Sequence, residues 1–290
     1  MKTVFLGLGR MGSAMARRIL VNKLPLEVYN RHPEKSYPFG QLGAKVHTEL
    51  DSALLDAELI FTMVSDDGAL GELINLKSLS LTAPNCIHVS MSTVSIGFLA
   101  ELLKLTGELH RTLCCCPVFG RPQAAANGTL QLCLAGPREA TKKIENYLLP
   151  MGRVWDFGQD PLGAMAVKLS GNFMIASLLE VLSEAFSLVE SLNADPRAFF
   201  QLMSTTLFAA PAVRTYGELI LAGAFEEAGF AAKLGRKDIG LIKDAASKSH
   251  NPMPLASLLE DKFLRILARG WGEKDWSIIS RLQREDAGLG

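Results

Sequence analysis

A lysine and an asparagine interrupt an otherwise apolar stretch, AMAVKLSGNFMIA, in the second half of the chain. Lys168 and Asn172 are four residues apart, and in a helix this spacing places both side chains on one face, one turn apart. An ammonium group in such a stretch is costly to desolvate unless it faces a cavity or a partner. A buried lysine whose pKa falls from about 10.4 towards neutrality is able to exchange a proton with a reacting oxygen. The alternative is a lysine whose charged end reaches solvent at the edge of the helix.

Three glycines near the N-terminus form a second pattern with chemical meaning. Gly7, Gly9 and Gly12, in VFLGLGRMGSAMARRIL, follow G-x-G-x-x-G between a β-rich run and an amphipathic helical stretch. The first makes a tight turn, the second lets the backbone approach a pyrophosphate, and the third lets helix and strand pack closely. A purely structural glycine turn is the alternative. The pattern predicts a dinucleotide site whose loop contributes Gly7, Gly9, Arg10, Met11 and Gly12.

The end of the next β-rich run, LEVYN, bears on which dinucleotide is bound. An NAD-binding fold places an acidic residue there for the ribose 2′-OH. This sequence instead has Asn30, Arg31 and His32, followed by Lys35. Arg31 carries a planar guanidinium suited to a phosphate, although a solvated arginine at a strand end is the plainer interpretation. These residues predict contacts to the cofactor and a preference for NADP over NAD.

Two rhythms of secondary structure divide the chain near residue 160. The first part alternates helical stretches with seven candidate strands: KTVFLG, LEVYN, AKVHT, AELIFTMV, CIHVSM, RTLCCC and LQLCLAG. Strands joined by crossover helices predict a parallel sheet covered on both faces, a doubly wound Rossmann domain over residues 1–160. The remainder, 161–290, is predicted to be all helical, with one long helix over 161–192 and further helices starting near Asp195, Pro211, Ala231, Pro254 and Asp275. The fold class is therefore α/β with a separate all-α domain.

Composition limits the partners that the chain is expected to have. Thirty basic residues balance thirty acidic ones, so neither a nucleic acid nor an anionic membrane is indicated. The apolar stretch 173–189 contains Ser177, Glu180, Ser183 and Glu184, which argues against a membrane span. Its apolar residues nearly encircle a helix, which favours burial between layers or between subunits of a homodimer or homotetramer. The start of the chain lacks a signal-peptide pattern and five cysteines are an odd number, so we expect a cytoplasmic protein.

Three consecutive cysteines, Cys114 to Cys116, end the run RTLCCC just before Pro117. On a strand, Cys115 points away from the other two, so the three sulfurs do not converge on one metal. No C-x-x-C spacing is present and His110 is a single possible ligand. We therefore predict small, buried, apolar side chains and no metal site.

Five segments of the chain resemble the β-hydroxyacid dehydrogenase family, which includes 3-hydroxyisobutyrate dehydrogenases and glyoxylate/succinic semialdehyde reductases and is related to 6-phosphogluconate dehydrogenase. They are FLGLGRMGSAMARRIL with VYNRHPEK, MSTVSIGFLAEL, CPVFGRPQAAANGTL, GAMAVKLSGNFM and AAKLGRKDIGLIKDAA. The resemblance covers essentially the whole chain. It implies a Rossmann domain, a long interdomain helix, a helical C-terminal domain for substrate binding and dimerisation, and a cleft where nicotinamide meets a small carboxylate-bearing substrate.

The resemblance also implies roles for individual residues. Lys168 would act as general acid and base, and Asn172 would hold the substrate oxygen or orient the amine. Further implied contacts to cofactor or substrate are Met63, Val64, Ser92, Thr93, Lys237 and Asp238. Without the family, MVSDDG and MSTVS are turns in which small polar residues cap helices, and Lys237-Asp238 is a charged pair on a helix surface.

One loop departs from the family pattern. PVFGRPQAAANGTL corresponds to a substrate loop that usually reads P-V-S-G-G, whose serine and glycine amides grip the substrate carboxylate. Here Phe119 replaces the serine, Gly120 is kept, Arg121 replaces the second glycine, and Cys116 replaces an acidic residue. If Arg121 points into the site, it is suited to a carboxylate, and if it points outward the pocket is apolar. All three loop residues, Phe119, Gly120 and Arg121, are predicted to contact the substrate.

The resulting hypothesis is an NADP-dependent oxidoreductase that transfers a hydride between nicotinamide and a small aldehyde, keto acid or 3-hydroxy acid, with Lys168 as general acid and base. One alternative is an imine reductase-like enzyme with a less polar substrate, in which relatives of similar architecture replace the lysine. The other is a non-catalytic dinucleotide-binding module, which would have no use for Lys168 and Asn172.

Overall fold

The computed structural model describes residues 1–289. The chain divides into two compact units, Met1–Lys168 and Leu169–Gly290. The division falls after Lys168, inside a long helix, whereas the sequence prediction placed it after residue 160.

The first unit is built on a six-stranded parallel sheet in the order β3-β2-β1-β4-β5-β6. Its strands are β1 (Thr3–Leu6), β2 (Glu27–Tyr29), β3 (Lys45–His47), β4 (Leu59–Thr62), β5 (Ile87–Ser90) and β6 (Thr112–Cys115). The order in which strands are added reverses between β1 and β4, since β2 and β3 lie on one side of β1 and β4 to β6 lie on the other. Ligands bind at this point in doubly wound folds. Every residue of β1, β4 and β5 is buried, as expected for a sheet covered on both faces. The predicted Rossmann sheet is confirmed.

Eight α-helices of the first unit cover this sheet or follow it. They are α1 (Arg10–Val21), α2 (Tyr37–Gly40), α3 (Leu50–Leu54), α4 (Asp67–Leu73), α5 (Leu76–Ser80), α6 (Ile96–Glu108), α7 (Pro122–Asn127) and α8 (Arg138–Leu148). Side-chain caps start two helices that follow strands: Asp66 accepts from the Ala69 N–H of α4, and Ser95 accepts from the Phe98 N–H of α6. Each cap satisfies a backbone donor that the helix itself leaves unpaired.

A second, three-stranded sheet was only partly predicted. It consists of β7 (Val118–Phe119), β8 (Leu130–Leu134) and β9 (Gly152–Asp156), with β7 antiparallel and β9 parallel to β8. The sequence indicated β8 alone and placed it in the parallel sheet, which is wrong, since β8 belongs to this separate sheet. It gave no sign of β7, which has two residues, or of β9, which is mostly exposed. This small sheet fixes the position of Phe119, which pairs with Gln131 of β8.

The consecutive cysteines are packing residues. Cys114, Cys115 and Cys116 are fully buried, and Cys114 and Cys116 belong to the main hydrophobic core of the unit. Burial raises the pKa of Cys114 to about 12 and raises the pKa of the other two thiols as well, so they remain uncharged. The predicted burial is confirmed. Over residues 1–289, no group of three His, Cys, Asp or Glu side chains is placed to hold a metal ion.

The second unit is all helical, as predicted. Helix α9 (Pro161–Ser191) leads into it and is followed by α10 (Pro196–Thr205), α11 (Pro211–Ala222), α12 (Ala232–Lys248), α13 (Pro254–Ala268), a short 3₁₀ turn (Trp276–Ile278) and α14 (Ile279–Asp286). Proline occupies the first position of α10, α11 and α13, where its missing N–H has no helical partner to lose.

Helix α9 is apolar around most of its circumference. By length and composition alone it could cross a membrane, since its most apolar 18-residue window has a mean hydropathy of 1.5, and 44% of that window is buried. One side packs inside the protein through Ala176 and Leu179, whereas Met174, Val181 and Leu188 are 58–70% exposed. Their spacing of seven residues places these three on one stripe. The stripe agrees with the predicted apolar helix, and its expected subunit contact stays a prediction.

Candidate active site

The glycine loop between β1 and α1 has the geometry that dinucleotide binding requires. A Cβ at Gly7, where φ is +94°, would lie 2.4 Å from the Met63 carbonyl oxygen. A Cβ at Gly12 would lie 2.0 Å from the Gly7 carbonyl oxygen, so both glycines are required by packing. A Cβ at Gly9 would meet nothing within 4 Å, and Gly9 caps α1 without a side-chain hydrogen bond. The loop therefore leaves open space beside the first N–H groups of α1, which fits a pyrophosphate.

Asn30 supports this loop. Its Oδ1 accepts a hydrogen bond of 2.8 Å from the Leu8 N–H, and its Nδ2 donates to the His32 carbonyl oxygen at 3.0 Å. The side chain is buried and joins the end of β2 to the glycine turn. This supporting role was missing from the sequence analysis, which assigned Asn30 a direct contact to the cofactor. That contact stays a prediction.

Arg31 lies at the end of β2, exposed together with its neighbour His32. Its Nη1 is 3.1 Å from Oε2 of Glu72 in α4, and both side chains are more than 60% exposed. The sequence analysis found no carboxylate at the strand end, but the fold brings Glu72 there from 41 residues away. An exposed pair of this kind is weak, so a phosphate can compete for the guanidinium.

The ends of β4 and β5 are tied together beside the glycine loop. The Val64 N–H donates a 2.8 Å hydrogen bond to the Ser92 Oγ, and the Met63 N–H donates to the Leu6 carbonyl oxygen of β1. Ser92 is fully buried and Thr93 is half-buried. The four predicted residues Met63, Val64, Ser92 and Thr93 thus lie at the carboxyl edge of the sheet, where doubly wound folds bind ligands. Their contacts to cofactor or substrate stay predictions.

Lys168 is buried against an aromatic ring. It is 8% exposed, and its Nζ lies 4.2 Å from the centroid of the Phe119 ring. The alternative of a lysine that extends into solvent is therefore wrong. Burial raises the pKa of the nearby Cys133 thiol, and the positive charge of Lys168 lowers it in part. This part of the first unit therefore brings together the ammonium of Lys168, the ring of Phe119 and the neutral thiol of Cys133.

The loop that carries Phe119 is constrained on both sides. Gly120 has a φ of +140°, and a Cβ there would lie 2.5 Å from Leu130 Cδ2. Arg121 precedes α7 as its N-cap residue, and its Nε is buried. A Cβ at Gly128, just after α7, would lie 2.9 Å from Nη2 of Arg18. The end of α7 therefore packs against α1, the helix that follows the glycine loop.

The second unit holds the other predicted residues in a buried cluster. Nδ2 of Asn172 donates a hydrogen bond of 2.5 Å to Oδ2 of Asp238 in α12, and these side chains are 4% and 1% exposed. Nζ of Lys237 lies 3.0 Å from the other carboxylate oxygen of Asp238. Asp238 is therefore not part of a surface pair. It fixes the amide group of Asn172 through its NH₂ and anchors Lys237 at the same time.

Two protein families match the chain and together span most of it. Residues 2–159 match the family described as the NAD binding domain of 6-phosphogluconate dehydrogenase. Residues 163–283 match the family described as NAD-binding of NADP-dependent 3-hydroxyisobutyrate dehydrogenase.

Individual relatives agree with these families. An uncharacterized oxidoreductase, YfjR, of Bacillus subtilis is 35% identical over 96% of this chain and 98% of its own length. The 3-sulfolactaldehyde reductase of Escherichia coli is 30% identical over 98% of this chain and 96% of its own. A structure of 3-hydroxyisobutyrate dehydrogenase from Mycobacterium tuberculosis with L-serine has the same fold, with a TM-score of 0.87 at 23% identity over 98% of this chain and 99% of that one.

Proposed function

The chain belongs to the 3-hydroxyisobutyrate dehydrogenase-like family of NAD(P)-dependent oxidoreductases, and we propose that it uses NADP to interconvert a small aldehyde or keto acid and its hydroxy acid. Lys168 is the proposed general acid in reduction and general base in oxidation. The observation that carries this proposal is the burial of the Lys168 ammonium, which is 8% exposed in an apolar helix. Such burial is costly and is explained by a group that handles protons.

The first unit supplies the residues for the cofactor. Gly7, Gly9 and Gly12 with the start of α1 would hold the pyrophosphate, since the loop has room at Gly9. Arg31 and His32 would face the ribose 2′-phosphate, which supports NADP over NAD. When bound, the dinucleotide supplies or accepts the hydride.

Proton transfer is assigned to Lys168. As the carbonyl carbon is reduced, negative charge builds up on its oxygen, and the Nζ of Lys168 donates a proton to that oxygen. In the oxidation direction the neutral amine removes the hydroxyl proton. Asn172 would accept a hydrogen bond from the substrate hydroxyl or from the amine through its carbonyl oxygen, while one N–H of its NH₂ group donates to Asp238.

The loop 119–121 is the proposed substrate contact. Gly120 has a φ of +140°, which would strain any other residue, and Arg121 is suited to bind a carboxylate with two parallel hydrogen bonds. Ser92, Lys237 and Asp238 complete the proposed substrate-binding set. A small acid with a reducible carbonyl group fits this combination of one cation, one aromatic face and one proton donor.

A second candidate is reduction of a less polar substrate such as an imine. The aromatic ring of Phe119 beside the proton donor favours it, since the ring gives the site an apolar wall. The retained Lys168 and Asn172 argue for the carbonyl reaction. They argue equally against a module that only binds a dinucleotide.

We further propose that the protein is a cytoplasmic homodimer or homotetramer. The five cysteines are all free and buried, which suits a reducing compartment. The exposed stripe Met174, Val181 and Leu188 on α9 supplies an apolar surface for a second copy.

The proposal is tested by steady-state oxidation of NADPH with semialdehydes, glyoxylate, longer aldehydes and cyclic imines. We expect a semialdehyde or keto acid to be reduced, faster with NADPH than with NADH, and the rate to collapse in Lys168→Ala. Tight NADPH binding without turnover of any of these compounds would refute the assignment. Turnover of imines alone would replace it with the second candidate.

A further inference from the structure

The ammonium of Lys168 lies over the face of the Phe119 ring. The distance of 4.2 Å from Nζ to the ring centroid is well inside the limit of about 6 Å for a cation–π contact. Lys168 is 8% exposed, so water screens the contact little. Such contacts are stronger when the cation is desolvated.

The position of the ring is fixed independently of the lysine. Phe119 pairs with Gln131 across β7 and β8, so the backbone before the ring is held in a sheet. The next residue, Gly120, has no room for a Cβ beside Leu130, and α7 begins at Pro122. A strand on one side and a tight turn into a helix on the other leave the ring little freedom.

We propose that Phe119 is the positioning residue of the proton donor, which holds the Lys168 ammonium on its ring face by a cation–π contact. The proposal rests on the function proposed above for Lys168. A carboxylate in the same place would bind the ammonium through its protons and compete with the substrate oxygen for them. A ring stabilises the charge without accepting the proton as a base, so the donor stays charged and directed while the proton can still be given up.

Titratable side chains around this contact also affect the charge of Lys168. From the first unit, Cys133 of β8 is near the lysine, and burial keeps its thiol neutral by raising its pKa. Along α9, the next polar side chain one turn away is Asn172, whose partner Asp238 is paired with Lys237 of α12. The charge of Asp238 is therefore tested separately from the effect of the ring.

The contact is tested by NMR on the full-length, cofactor-free protein labelled with ¹³C at lysine Cε. The Lys168 signal is assigned as the one missing in Lys168→Met. We expect its ε-protons to be shifted upfield by the ring and to move downfield in Phe119→Leu, with little change in Phe119→Tyr. The titration midpoint of the signal should fall by about 0.4 to 1.5 pH units in Phe119→Leu, because the ring stabilises the charged form. Phe119→Tyr keeps the aromatic face and is the matched control.

Other outcomes distinguish the effect of the Phe119 ring on Lys168 from the effects of packing and of Asp238. A Lys168 signal with the same shift and midpoint in the unmodified protein and in Phe119→Leu would overturn the proposal. An equal fall of the midpoint in Phe119→Tyr and Phe119→Leu would also overturn it, since loss of packing alone would explain the change. Asp238→Asn, titrated in parallel, gives the contribution of the carboxylate, and a midpoint that depends on Asp238 but not on Phe119 contradicts the proposal.

Kinetics distinguish this failure from failure of the proposed function. If Lys168 is the proton donor, Lys168→Met loses activity, and the alkaline limb of the pH profile of kcat/KM moves to lower pH in Phe119→Leu. If Lys168→Met loses activity but the alkaline limb of the pH profile of kcat/KM does not move in Phe119→Leu, the role of the ring is refuted and the proposed function stands. Full activity in Lys168→Met refutes the function on which the proposal rests, whatever the NMR titration gives.

Discussion

Two lysines of this protein are withdrawn from solvent and are held in different ways. Lys262, on α13, is bonded to the carboxylate of Glu180 on α9 and to Oε1 of Gln283 at 2.6 Å. Lys168 lies on the ring face of Phe119. A carboxylate neutralises a buried ammonium and stabilises its protonated form. A ring stabilises the charge and leaves the proton transferable, so the difference separates a structural cation from the proposed proton donor.

The glutamate partner shows that even the structural pair is costly to bury. Burial raises the pKa of Glu180 above its usual range, although Lys262 acts in the opposite direction. The desolvation of the pair therefore outweighs much of its mutual attraction. A third cation, Arg31, is paired with Glu72 in the open, where both charges remain hydrated. The three sites predict effects of decreasing size on different properties.

The largest effect is expected for Lys168→Met, which keeps the length of the side chain and removes the charge. Loss of a general acid should lower kcat/KM by about 10²- to 10⁴-fold. The melting temperature should change little, because the methionine side chain can pack against the Phe119 ring that the lysine contacts. Steady-state kinetics and thermal unfolding measure both properties. A large loss of stability with little loss of kcat/KM would show that Lys168, like Lys262, has a structural role.

Lys262→Met should reverse that outcome. It leaves Glu180 buried without its partner and should lower the free energy of unfolding by about 3 kcal/mol. The value of kcat/KM should stay within about twofold of the unmodified protein, since the pair lies away from the proposed chemistry. Chemical denaturation gives the first quantity. The double variant Glu180→Gln/Lys262→Met should recover part of the loss, and equal instability of the single and double variants would argue against a penalty from the orphaned carboxylate.

Arg31→Ala should affect cofactor choice without affecting stability. Removal of a charge-assisted contact to a 2′-phosphate should weaken NADPH binding by about 10- to 100-fold and leave NADH binding unchanged. Fluorescence titration with the two dinucleotides measures the effect. Equal weakening of both would show that Arg31 does not recognise the phosphate.

The smallest effect is expected for Glu72→Gln. An exposed ion pair is worth at most about 1 kcal/mol, so release of Arg31 should strengthen NADPH binding by no more than about fivefold. NADH binding is the internal control in the same titration. Weaker NADPH binding in this variant would mean that Glu72 positions Arg31 for the phosphate rather than competing with it.

Much of the first unit was predictable because its signals are local. The apolar runs indicated the six parallel strands, and the spacing of Gly7, Gly9 and Gly12 indicated the loop. Gly7 and Gly12 are required by atoms a few residues away or on the neighbouring strand, and Gly9 leaves open space. The prolines that start α10, α11 and α13 marked the second unit in the same way.

What the sequence could not predict depends on distant pairs. Phe119 and Lys168 were both singled out as candidates, but only the fold places the ammonium over the ring. Glu72 meets Arg31 from another helix, and Asp238 meets Asn172 from α12. The strands β7 and β9 carried no pattern, because one has two residues and the other shows little burial.

The most direct test of the central claim is chemical rescue of Lys168→Ala by a small amine. The variant is assayed with NADPH and the best substrate of the panel, with and without ethylamine, and Lys262→Ala is treated identically. We expect the rate of Lys168→Ala to rise with the concentration of protonated ethylamine, and that of Lys262→Ala not to respond. A rate for Lys168→Ala that equals that of the unmodified protein, or that does not depend on the amine, would contradict the account of Lys168 as proton donor.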